Sequence, residues 1–115
     1  MYVFPFPVWW GTEPAVLKGF FDKVFLPGFA FTYGEQGELA KLLTDKKAVV
    51  ITTMESSVEF FTNELKNPVE GALLKNTLNT CGIEVIKHFS IGNIGSLGRA
   101  GAEKEFNAVV SFFSG

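Results

Sequence analysis

Cysteine and histidine are nearly absent: Cys81 and His88 are the only residues of their kinds in 115. A lone cysteine cannot close an internal disulfide or help build a metal cluster, so a reducing, cytoplasmic setting is the expectation. Clustered positive charge is also missing. Ten Lys and Arg are scattered against twelve Asp and Glu, for a formal charge of −2. That excludes a general binder of nucleic acid or anionic membranes, which needs basic residues in patches. No apolar run is long enough to cross a bilayer. The opening run, Met1 to Trp10, lacks the parts of a secretory signal: no basic residue precedes it, Pro5 and Pro7 interrupt it, and no small-residue cleavage pattern follows. No Ser/His/Asp set, carboxylate pair or metal-ligand spacing stands out, so no catalytic side chain is proposed. What the chain has in quantity is phenylalanine, 13 residues, within a 47% hydrophobic composition. Disorder is excluded, and one globular domain over residues 1–115 is expected.

The order of elements points to an α/β fold. Tyr2 to Phe6 is a continuous apolar stretch, as in a strand of a parallel sheet covered on both faces. A helix should follow, capped by Thr12 or Glu13, with Pro14 in its first turn and Val16, Phe20, Val24, Leu17, Phe21 and Phe25 on its apolar side. Pro27-Gly28 should end it. Phe29 to Thr44 reads as a long loop with a short turn near Leu39. Ala48 to Thr53 is a second buried strand, rich in β-branched residues. A short helical stretch around Phe61 to Leu65 comes next. Asn67-Pro68-Val69-Glu70 then starts a helix that should bury Val69, Leu73, Thr77, Leu74, Leu78 and Cys81 and stop at Gly82. Ile83 to Ile91 is a third strand, polar enough for a sheet edge, and a last helix should span about Ala100 to Phe113. Strand and helix in alternation predict right-handed parallel crossovers and a three-layer sandwich.

Phe6-Pro7-Val8-Trp9-Trp10-Gly11-Thr12-Glu13-Pro14-Ala15-Val16-Leu17-Lys18-Gly19, then Asp22-Lys23-Val24-Phe25 and Gly28-Phe29-Ala30-Phe31-Thr32-Tyr33, resemble the flavodoxin-like NAD(P)H dehydrogenase (quinone) family. Lys46 to Thr53 and Cys81-Gly82-Ile83 look like later landmarks of the same family. The resemblance implies a flavodoxin-like parallel sheet of which this chain carries the last three strands and their helices. The phosphate-binding loop that opens the family's domain has no counterpart here, so an N-terminally truncated member of a domain of roughly 180 to 200 residues is the expectation.

By resemblance, Pro7, Val8, Trp9, Trp10 and Gly11 would form one flavin-contacting loop and Thr52, Thr53, Met54 and Glu55 a second. Backbone N–H groups of the first loop would meet the polar edge of the ring. Trp10, Phe31 and Tyr33 would line the substrate pocket, Phe31 and Tyr33 reaching across a homodimer. The implied cofactor is FMN or FAD with NAD(P)H as co-substrate, and the implied reaction is two-electron hydride transfer to a quinone or similar flat acceptor. Two departures are visible: Met54-Glu55 replace a common Gly-Gly and place a carboxylate by the ring, and Phe60 falls where a Tyr is frequent. A bare first strand also predicts pairing with another copy. The alternatives are a non-catalytic flavodoxin-like module, or a regulatory or dimerisation subunit.

Other notable residues have plainer readings. Phe20, Phe21 and Phe25 are core, Cys81 is a small buried apolar group, and His88 is a solvated edge histidine. Gly92 to Gly98 could cradle a phosphate but lacks a basic partner other than Arg99. Gly19 should permit close packing, to the sheet or to another subunit's helix.

Overall fold

The computed structural model describes residues 1–115. Three strands form a parallel sheet: β1 (Tyr2–Pro7), β4 (Lys47–Thr53) and β5 (Glu84–Ile91), in the spatial order β1-β4-β5. The central strand is the most buried, with Ala48, Val49 and Val50 fully covered. Both outer strands are edges, as the polar character of Ile83 to Ile91 predicts for β5. Ile86 is the extra residue of a bulge, because Ala48 pairs with Val85 while Val49 pairs with Lys87.

Residues alternate between the two faces of the sheet. One face is covered by α1 (Ala15–Val24) and by the long helix α3 (Val69–Leu78), preceded by the short α2 (Val58–Asn63). Phe4, Phe6 and Val50 join Phe21, Phe25, Leu73 and Leu78 there in one cluster of 16 buried residues. Phe4 meets Phe21 edge to face at 5.2 Å. The opposite face carries only α4 (Gly98–Ser114), whose Phe112 packs on Phe89 at 5.5 Å and whose sole buried residue is Val109. The result is the expected three-layer α/β arrangement of a flavodoxin-like sheet, with a thin third layer. The radius of gyration, 15.8 Å, exceeds the roughly 13 Å of a compact chain of this length, and the long axis reaches 54 Å.

Several local expectations need correction. Neither Thr12 nor Glu13 caps α1: Pro14 precedes it with no side-chain bond, and the Thr12 hydroxyl donates to the buried Glu13 carboxylate. Only Phe21 and Phe25 of the predicted apolar side are buried, while Val16, Phe20 and Val24 are exposed. Phe29 to Thr44 is not a plain loop. Phe31–Tyr33 (β2) and Leu39–Lys41 (β3) pair antiparallel around a turn in which Gly37 has φ +80. Helix α3 is wider than an ordinary α-helix, with Asn79 N–H bonded to Leu74 O five residues back. That pitch explains why Val69, Leu73, Leu74 and Leu78 are buried, at spacings of four to five, while Thr77 turns its hydroxyl to Ala72 O. Gly82 has φ +94 and ends the helix region as predicted.

The outer edge of β1 has an unusual chemistry. In a parallel ladder the N–H and C=O of one residue point the same way, and the direction alternates along the strand. Val8 N–H bonds Thr53 O, so the even-numbered residues face β4 and Val3, Pro5 and Pro7 face outward. Two of those three have no N–H. The edge can therefore accept hydrogen bonds but donates only through Val3, which weighs against the expected strand-to-strand pairing of two copies. Gly19 does not press on the sheet either, since a Cβ built there meets nothing within 4 Å.

Candidate functional site

The carboxyl ends of β1 and β4 lead into two loops that face each other across a cleft, the usual ligand position in an open α/β sheet. The first loop is a tight reversal. Trp9 N–H bonds Thr12 O at 2.9 Å and Thr12 N–H bonds Trp9 O at 3.2 Å, which makes Trp10-Gly11 a two-residue hairpin turn. Both central residues have positive φ, +51 for Trp10 and +85 for Gly11, the combination of a type I′ turn. Such turns favour Asn-Gly. Here a tryptophan occupies the first position, with its side chain fully in solvent.

The second loop is clamped by β5 and the glycine-rich segment. Met54 N–H bonds Ile91 O, Ile94 N–H bonds Met54 O, and Asn93 N–H bonds Ser56 O. Gly92 is required for this contact, because a Cβ there would lie 2.8 Å from Val58 N and 2.9 Å from Ser56 O. The segment is thus a support for the second loop, a packing use of Gly92 and Gly95.

Between the loops lies a cavity of 680 Å³. Val8, Trp10 and Gly11 form one wall, Met54, Glu55 and Ser56 another, and Phe61, Leu65 and Pro68 the third. The structure therefore brings Val8, Trp10, Gly11, Met54 and Glu55 together. Pro7 lines a separate groove beside Pro14 and Val16, and Trp9 is largely exposed and does not line the cleft. Thr53 uses its carbonyl to hold Val8. Thr52 is fully buried, with Oγ1 3.0 Å from His88 Nε2, so its hydroxyl is turned into the core and away from any ligand. Phe31 and Tyr33 line a different pocket of 310 Å³ with Lys18, Phe25 and Cys81. Within one chain they do not meet Trp10.

Fewer backbone donors are available than the sequence suggests. Pro7 has none, and the N–H groups of Val8 and Trp9 are spent on Thr53 O and Thr12 O. The N–H groups of Trp10, Gly11, Glu55 and Ser56 make no bond within the chain and remain for a ligand. Phe61, Leu65 and Pro68 were not legible as site residues, although Asn67-Pro68 marks the start of α3. Asn67 Oδ1 accepts from Glu70 N–H at 3.2 Å, and this turn presses Pro68 toward Gly11, 3.5 Å from where a Cβ would sit. Phe60, by contrast, is half exposed and lies outside the cleft.

His88 is not a simple solvated histidine. Its Nε2 lies within hydrogen-bond reach of both Thr52 Oγ1 and, at 3.3 Å, Ser90 Oγ. Burial pushes its pKa below the usual value, opposed by the nearby Glu70 carboxylate. Burial likewise raises the Cys81 thiol, which leaves it an inert core group. No group of His, Cys, Asp and Glu is placed to hold a metal ion. No helix is long and apolar enough to cross a membrane.

A parallel sheet of this order, with its cleft at the strands' carboxyl ends, is a flavodoxin-like architecture. Residues 1–111 match the sequence model of the family described as having the flavodoxin-like fold, and the chain belongs to that family. Among curated proteins it is 33% identical over 90 residues to an uncharacterized NAD(P)H oxidoreductase of Haemophilus influenzae, covering 77% of this chain and 44% of the relative. It is 50% identical over 50 residues to FMN-dependent NADH:quinone oxidoreductase 2 of Bacillus licheniformis, covering 44% of this chain and 23% of that protein. The crystal structure of Smu.1420 from Streptococcus mutans UA159 superposes with a TM-score of 0.81 at 30% identity, over 96% of this chain and 58% of that one. The chain spans less than half the length of these two curated relatives.

Proposed function

We propose that the cleft takes the ring of a flavin, FMN or FAD, and that the protein is an NAD(P)H oxidoreductase passing two electrons to a quinone or similar flat acceptor. The observation that carries this reading is the mainly apolar cavity between Trp10 and Met54 at the carboxyl ends of β1 and β4, with unspent N–H groups on both loops. It agrees with the names of the curated relatives. The dimensions suit a flat ring, since pockets for such ligands run from about 300 to 1,000 Å³. A bound flavin would supply hydride acceptance from NAD(P)H and two-electron delivery to the acceptor. The protein's part is position and exclusion of water. Trp10 stands at the mouth of the cleft with its ring in solvent, Phe61 and Leu65 give an apolar wall, and the free amides of Trp10, Gly11, Glu55 and Ser56 would be the donors for a polar ring edge. Phe31 and Tyr33 could reach such a ligand only from a second copy, which is the form in which a homodimer enters this reading. A cytoplasmic setting belongs to it as well.

One observation favours a second reading, a flavodoxin-like module without catalysis that serves a regulatory or dimerisation role. No Lys or Arg lines the cleft, so a flavin phosphate finds no positive side chain there. Titration of the purified protein with FMN and with FAD separates the two. Saturable binding with a visible flavin spectrum, followed by NAD(P)H oxidation when menadione is added, is expected. A colourless protein that oxidises no NAD(P)H would favour the module.

A further inference from the structure

A groove of 420 Å³ runs between the outer edge of β1 and the first two turns of α1, and it shares no residue with the cleft. Its lining combines the buried Phe6 and Pro14 with the exposed Pro5, Pro7, Val16 and Phe20. No side chain along it carries a polar atom, so polar contact falls to the backbone. Pro5 and Pro7 turn their carbonyls outward from the sheet, where no group of the chain donates to them, and neither residue has an N–H. The one unbonded N–H among the lining residues, that of Val16, points along the axis of α1 toward its start. The β1 side of the groove is therefore apolar, rich in proline rings, and able to accept hydrogen bonds without donating any.

We propose that this groove binds flat two-ring heteroaromatic molecules whose edge carries an N–H donor, the indole class, in preference to rings of the same shape that carry only an acceptor. It is a site apart from the cleft and does not depend on what the cleft holds. Proline rings present C–H groups that pack on the electron-rich face of an indole. The indole N–H finds its acceptor in the carbonyl of Pro5 or Pro7. An acceptor atom in the same place meets another carbonyl oxygen instead, and is left desolvated without a partner, which costs more than a hydrogen bond gains. The volume suits a ligand of this size, at the lower end of the roughly 300 to 1,000 Å³ of small-molecule pockets.

Indole, benzofuran and benzoxazole share one shape and differ at the edge, which carries a donor, a weak acceptor and a good acceptor in turn. Equilibrium dialysis of each against the whole chain should show indole bound about three- to tenfold more tightly than benzofuran, and benzoxazole bound most weakly. Partition onto apolar surface alone would place benzofuran, the more apolar ring, ahead of indole. Val16→Asp should weaken indole about three- to tenfold; the position is 84% exposed and in the first turn of α1, where an acidic residue suits the helix. Pro5→Val restores an outward N–H with a residue that suits a strand, and should raise benzoxazole binding about two- to fivefold while leaving indole within about twofold. Excess FMN should not displace indole. Benzofuran bound as tightly as indole, indole binding untouched by Val16→Asp, or indole displaced by FMN each overturns the proposal. Indole binding with this pattern in a chain that takes up no FMN sustains the groove and removes only the flavin reading of the cleft.

Discussion

Replacing Trp10 with asparagine should make the protein more stable while weakening its hold on flat ligands. The structure gives both signs. At φ +51 a residue with a Cβ sits in the left-handed region, which costs roughly 1–2 kcal/mol for most side chains and much less for Asn. The usual opposing loss, burial of the aromatic ring, is missing because the Trp10 side chain is fully exposed. A net gain of about 0.5–1 kcal/mol is therefore expected. For 115 residues, each kcal/mol corresponds to about 4 °C in Tm, so the melting point should rise by about 2–4 °C. Differential scanning calorimetry on Trp10→Asn, beside Trp9→Asn as a control, reads this directly. Trp9 has no positive φ and is partly covered, so its replacement should leave Tm unchanged or lower it. FMN binding should meanwhile fall about two- to tenfold in Trp10→Asn through loss of stacking. A Tm at or below that of the unaltered chain would refute the reasoning, since it would mean that the ring contributes more in the folded state than the turn costs.

Two other perturbations have definite expected outcomes. Gly92→Ala forces a methyl group against the backbone of Ser56 and Val58, which cannot swing aside, and should lower stability by about 1–3 kcal/mol in thermal melts and weaken ring binding through Ser56; Gly71→Ala, where a Cβ meets nothing within 4 Å, should not destabilise the chain. Because burial holds the folded pKa of His88 below its unfolded value near 6.5, the unfolded chain binds the proton more readily; urea midpoints should be highest above that pH and fall as pH drops through the folded value, and His88→Gln should flatten this part of the profile.

What could be read from the sequence was what depends on local runs. Tyr2 to Phe6 and Ala48 to Thr53 are strands because uninterrupted apolar or β-branched residues suit a sheet, Ile83 to Ile91 mixes apolar with charged and polar residues as an edge strand does, and Gly82 ends its helix because few other residues take φ +94. The wider pitch of α3 was hidden, since Val69, Leu73, Leu74 and Leu78 fit a 3.6-residue face almost as well as a broader one. The β2–β3 hairpin was hidden by the glycines and charges between its two short strands. In the cleft, Val8, Trp10, Gly11, Met54 and Glu55 converge because they end adjacent parallel strands, a relation that strand order predicts. The third wall came from elsewhere: Phe61, Leu65 and Pro68 face inward through the approach to α3, which long-range packing decides. Thr52 shows the reverse, a residue of the right loop whose side chain alternation turns it to His88 and the core.

The places where this chain breaks local rules lie close together. Pro5 and Pro7 stand inside a strand, and Trp10 stands in a turn position suited to Asn, all within β1 and the loop it feeds. A further departure, Lys66 at φ +60, stands between the cleft residues Leu65 and Pro68, and α1 begins without a side-chain cap; against strands whose composition agrees with the fold, such violations are informative. The prolines remove donors from the outward edge of β1 while leaving the even-numbered ladder to β4 intact, so the strand is fixed on the side that supports the cleft and blunted on the other. A second copy of the chain would then have to pack through side chains, and the exposed Val16 and Phe20 of α1 provide apolar surface beside Pro5 and Pro7. The strained Trp10 belongs to the inner side of the same division. Its backbone conformation is held by the paired Trp9–Thr12 hydrogen bonds that close the turn, while its fully exposed ring adds no burial within the chain to offset the cost of the positive φ.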